Sequence, residues 1–142
     1  MNTDFELASR VIGFSPGLVT AKFYETWDFY TEQLGFRTVS ETDDCVRLTQ
    51  GSGAQLTILR HETDEQHPEL VSATDGHGFW LQLEVGDMET MYQKLRGADV
   101  PVARELEAGA GSARSFAIRD PNGVLIRVEP VRAELRMESL IQ

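Results

Sequence analysis

Phe116 to Glu129 reads FAIRDPNGVLIRVE, two halves that alternate apolar and polar residues around Asp120-Pro121-Asn122-Gly123. Alternation with a period of two marks a strand with one buried face. Proline presets an early turn angle, and asparagine and glycine tolerate the positive φ of a tight reversal. The stretch is therefore predicted to be a β-hairpin. One face carries Phe116, Ile118, Val124, Ile126 and Val128, and the other carries Ala117, Arg119, Leu125, Arg127 and Glu129. The first face wants a covering helix. The second faces either water or a ligand pocket.

A second hairpin lies upstream. Moving it by 116 minus 46, or 70 positions, superposes Val46, Leu48, Gly53, Leu56 and Ile58 on Phe116, Ile118, Gly123, Ile126 and Val128. Each hairpin is preceded by a strand, a helix and another strand. In the first copy these are Val11 to Thr20, with an irregular entrance at Gly13, Pro16 and Gly17; an amphipathic helix over about Phe23 to Leu34, stopped by Gly35; and Phe36 to Glu41. The hairpin strands are Cys45 to Thr49 and Ala54 to Leu59. In the second copy they are Trp80 to Val85, a helix over Met88 to Leu95, and Val100 to Ala103 before the hairpin.

The pattern predicts an α+β fold of two tandem βαβββ units, over about 11–60 and 79–130, packed as one mixed-sheet domain. Neither unit is large enough to bury a good core alone. A polar connector over about 61–78 holds all three histidines, and a helical tail is expected over about 131–142.

Composition narrows the partners. Thirteen basic residues against twenty-three acidic ones give a formal net charge of -10, which argues against nucleic acid and anionic membrane surfaces and favours cationic ligands. The single cysteine, Cys45, permits neither an intrachain disulfide nor a multi-cysteine zinc site. With no secretory pattern in MNTDFELASR and no membrane-length apolar run, a cytoplasmic protein is expected.

If Leu81, Leu83 and Val85 face the helices, strand alternation assigns the opposite, concave face. That face holds Ser15, Gly17 and Val19; Cys45 and Arg47; Gln55, Thr57 and Leu59; Trp80, Gln82 and Glu84; and Arg119, Leu125, Arg127 and Glu129. Trp80 offers a flat surface for a planar or cationic compound, and Gln55, Thr57 and Gln82 offer hydrogen bonds. Arg127 suits a carboxylate or phosphate, or else an internal ion pair with Glu84 or Glu129. His61, Glu62 and His67 match no metal-binding spacing and read as a solvated connector. Cys45 sits in no nucleophile-elbow pattern.

The segment Phe29-Tyr30-Thr31-Glu32-Gln33-Leu34-Gly35-Phe36, with the Asp-Pro-Asn-Gly turn of a doubled βαβββ unit, resembles the vicinal oxygen chelate superfamily, which includes glyoxalase I, the bleomycin-resistance proteins and the extradiol dioxygenases. The likeness runs from about Val11 to Glu129. It implies sheets curled around a cavity, a homodimer, and four metal-ligand positions that fall here on Ser15, Thr57, Trp80 and Arg127. Those residues are not a metal ligand set, because hydroxyls are poor donors, indole offers no lone pair and guanidinium is cationic. A slip bringing His77 to the place of Trp80 spans three residues, an odd number, and would turn the strand's apolar face outward.

The expectation is a metal-independent, cofactor-free protein that sequesters a planar or cationic small molecule, as in the bleomycin-resistance branch. The alternative is a glyoxalase- or dioxygenase-like enzyme, a lyase, isomerase or oxygenase, with an atypical or absent metal site. Without a metal, Glu84 or Glu129 would be the base and Arg127 the oxyanion holder.

Overall fold

The duplicated pattern is realised as two four-stranded sheets of identical topology. In a computed structural model, residues 8–11, 13–51, 53–61, 73–106 and 115–131 are described. Unit one runs β1 (Gly17–Thr20), α1 (Phe23–Asp28), a π-helical turn (Phe29–Gln33), β2 (Arg37–Glu41), β3 (Cys45–Thr49) and β4 (Gln55–Arg60). Unit two runs β5 (Trp80–Val85), α2 (Met88–Gly97), β6 (Val102–Arg104), β7 (Phe116–Arg119) and β8 (Leu125–Pro130). The sheet orders are β1-β4-β3-β2 and β5-β8-β7-β6. In each, the first strand lies parallel to the last, a pairing that requires the long crossover the helix supplies.

The expected apolar faces are the buried ones. Val46, Leu48, Leu56 and Ile58 in unit one, and Phe116, Ile118, Val124, Ile126 and Val128 in unit two, are each at most 2% exposed. Phe23 and Tyr30 on the first helical segment and Leu95 on α2 join them in one apolar cluster. Asp87 starts α2 by accepting the Thr90 amide at 3.1 Å, and that bond lowers its carboxyl pKa.

Two local expectations change, and two segments lie outside the described residues. The first strand is only the Gly17–Thr20 part of the predicted stretch, so Ser15 lies in irregular chain ahead of it. Helix one is not a continuous α-helix, because its second half is a π turn. Within that turn the Thr31 hydroxyl donates to the carbonyls of Trp27 and Asp28, at 2.9 and 3.3 Å, and so competes with the regular ladder. Beyond Val131 the predicted tail helix over 131–142 lies outside the described residues, as do residues 62–72 of the connector over 61–78.

The Asp120-Pro121-Asn122-Gly123 turn does more than reverse the chain. Asp120 is 4% exposed. It accepts the Asn122 and Val124 amides on Oδ1, at 2.8 and 2.9 Å, and the Tyr30 hydroxyl on Oδ2 at 2.9 Å. Thr20 donates to Asn122 Oδ1 at 2.6 Å, and Asn122 Nδ2 donates to Thr26 Oγ1 at 3.0 Å. With the Thr20 proton committed to Asn122, Thr26 is the donor in the 3.2 Å contact between the two threonines, which closes a ring. Lys22 Nζ reaches the Pro121 carbonyl at 3.0 Å. The turn of unit two is thus fastened to β1 and the helix of unit one.

Candidate functional site

Strand register places the candidate residues on common faces. In unit two, Trp80, Gln82 and Glu84 stand opposite Leu125, Arg127 and Glu129. In unit one, Gly17 stands opposite Thr57, which stands opposite Arg47, while Val19, Leu59 and Cys45 form the next row. The two units are offset alike, since Thr57 faces Gly17 two residues after Ser15, as Arg127 faces Gln82 two residues after Trp80.

Polar side chains on the unit two face are linked. Glu129 Oε1 pairs with Arg127 Nη2 at 2.9 Å, and Glu129 Oε2 accepts Gln82 Nε2 at 2.9 Å. Gln82 Oε1 in turn receives the Trp80 indole N–H at a long 3.5 Å. Both Glu129 oxygens are therefore engaged, and Arg127 makes one of the two internal ion pairs that sequence allowed. The Glu129 side chain is 16% exposed against 37% for Arg127, so the pair retains water access and avoids the full cost of buried charge. Trp80 itself is 56% exposed and presents its ring at the surface.

A cavity of about 610 Å³ lies between the two units. Pro16, Leu34, Phe36, Gln50, Ala54, Gln55 and Leu56 line it from unit one, and Leu81 to Val85 with Val131 line it from unit two. It brings together Gln55, Gln82 and Glu84 of the candidate set. Because β5 is the edge of its sheet, both of its faces contribute, and Leu81, Leu83 and Val85 are only half-buried rather than sealed under a helix. Ser15, Arg47, Thr57, Trp80, Arg127 and Glu129 do not line this cavity. Gln82 belongs both to it and to the Trp80–Glu129–Arg127 chain.

His77 stays out of the site. It sits between Gly76 and Gly78, both at positive φ, and its imidazole contacts the Asp75 carboxylate at 3.3 Å in open solvent. The His77 amide, at 2.9 Å, lowers the Asp75 pKa. Trp80, and not His77, therefore holds the position on β5. The residues that sequence reasoning missed are Thr20, Thr26 and the hydroxyl of Tyr30, which fix the turn beneath β8. Tyr30 was visible as one of a stripe of apolar positions, but a stripe does not show where a hydroxyl points.

The sequence pattern of the glyoxalase/bleomycin resistance protein/dioxygenase superfamily matches residues 15–128. The chain belongs to this superfamily. No curated protein matches it in sequence. Solved structures do match in fold. A protein of unknown function from Agrobacterium tumefaciens aligns with a TM-score of 0.70 at 21% identity, over 89% of this chain and 99% of its own. TnmS3, an antibiotic-binding protein from a Streptomyces species, aligns at 0.66 and 17%, over 85% and 98%. A glyoxalase/bleomycin resistance protein/dioxygenase from Nocardioides aligns at 0.62 and 17%, over 88% of each chain.

The sequence resemblance assigns the divalent-metal positions of superfamily enzymes to Ser15, Thr57, Trp80 and Arg127 here. These residues do not fit the ion. Arg127 would bring a cation to a cation and is already paired with Glu129, and Trp80 has no lone pair to give. Among the described residues, no group of three or more His, Cys, Asp or Glu is placed to bind a metal elsewhere. No helix among them is long and apolar enough to cross a membrane.

Proposed function

We propose that the chain is a metal-independent small-molecule-binding protein that sequesters a planar or cationic compound against the polar face of β5 and β8 and in the adjoining cavity. The observation that carries this reading is the exposed Trp80 ring, whose indole donates to Gln82, itself part of the wall of a mainly apolar cavity of about 610 Å³. That volume falls in the range of drug-sized sites, and a few polar groups in an apolar wall are their usual composition. Superfamily membership and a fold shared with an antibiotic-binding protein support the same reading.

A homodimer is part of the proposal. The concave residues Gly17, Arg47, Gln55, Trp80, Gln82 and Glu84 are all exposed in one chain, and a second copy would enclose them. Dimers are usual in the superfamily.

Fluorescence tests the binding reading. In a Trp27→Phe background, titration with a panel of aromatic and basic antibiotics is expected to quench Trp80 saturably for at least one compound. Absence of any response across the panel would sink drug sequestration.

A further inference from the structure

We infer that the cavity between the units selects a compound with an apolar body and one cationic nitrogen, and that Glu84 is its counter-charge. The inference rests on the small-molecule-binding reading above and names the ligand class of that site. On the linked polar face, Arg127 and Glu129 neutralise each other, and both Glu129 oxygens are engaged because Gln82 donates to the second. Glu84 stands directly opposite Glu129 on β5 and lines the cavity. Among the described residues it makes no hydrogen bond or ion pair, and it is exposed.

The remaining polar side chains of the wall are the neutral amides of Gln50, Gln55 and Gln82, set among apolar residues such as Leu56, Leu81, Leu83 and Val85. One uncompensated carboxylate therefore stands in an otherwise neutral wall.

That arrangement discriminates by charge. A neutral occupant would take water from Glu84 without replacing it, and an anion would meet both Glu84 and the chain's formal net charge of -10. A protonated amine replaces the lost water with a charge-assisted hydrogen bond. Its apolar body meanwhile covers the half-buried leucines and valine of β5, surface that the fold leaves unsealed. Arg127, already neutralised, adds no net attraction for acids.

A matched pair of dyes tests this: 9-aminoacridine, a cation at neutral pH, and acridine, its neutral analogue. Titrations of the full chain are expected to show 9-aminoacridine binding about tenfold more tightly. In Glu84→Gln that preference should vanish, with 9-aminoacridine bound about tenfold more weakly than by the wild type and acridine bound no more weakly. Circular dichroism checks that the exposed substitution leaves the fold intact. Equal affinity for the two dyes in the wild type, or a preference that survives Glu84→Gln, would overturn the charge assignment and leave the binding reading standing. Failure of both dyes to bind at millimolar concentration would overturn the charge assignment and the binding reading together.

Discussion

The Tyr30 hydroxyl donating to the buried Asp120 carboxylate is a single bond with two consequences. Tyr30→Phe leaves Asp120 with one acceptor site less satisfied, so urea unfolding should show a loss of about 1–3 kcal/mol. Burial first, and the neighbouring Asp120 charge second, push the Tyr30 pKa well above 10.0. Above about pH 10 the unfolded chain releases this proton while the folded chain keeps it, so stability present below that pH falls as pH rises. Melts between pH 8 and 11 should fall more steeply for the wild type than for Tyr30→Phe. Parallel curves would show that Tyr30 does not contribute this linkage. None of this was legible in sequence, where Tyr30 was an apolar position on a helical stripe.

At the level of elements, the hairpin around Asp120 was readable because its alternation and its turn chemistry agreed, and the paired strands lie in the register that the apolar faces demanded. Helix one was readable in position but not in type, since the back-bonding of Thr31 depends on rotamer rather than pattern. Likewise, nothing in the sequence announced that Gly76 packs onto the turn. A Cβ at Gly76 would lie 2.3 Å from the Gly123 carbonyl oxygen, whereas at Gly78 it would meet nothing within 4 Å; both have positive φ, +84° and +90°. Gly78→Ala should therefore cost only the backbone strain, about 1–2 kcal/mol, and Gly76→Ala clearly more. Equal losses in thermal melts would show that the close approach of the connector at Gly76 to the turn at Gly123 is not a constraint.

For the whole molecule, the duplication was legible because turns and apolar positions repeat together, but the meeting of the two units was not. It depends on threonine hydroxyls and an asparagine amide from distant parts of the chain. The same limit applied to the site. Register predicted its polar face, yet only the structure pairs Arg127 with Glu129 and draws both faces of β5 into one cavity. Light scattering should give twice the mass of the 142-residue chain, and a monomer at all concentrations would remove the partner copy from the account. Calorimetric titration of metal-stripped protein with a compound that quenches Trp80 decides whether binding beside Trp80 is metal-independent. Saturable binding is expected, unchanged on adding back divalent metal and lost in Trp80→Ala. Binding that appears only with metal, or that persists in Trp80→Ala, would contradict that expectation.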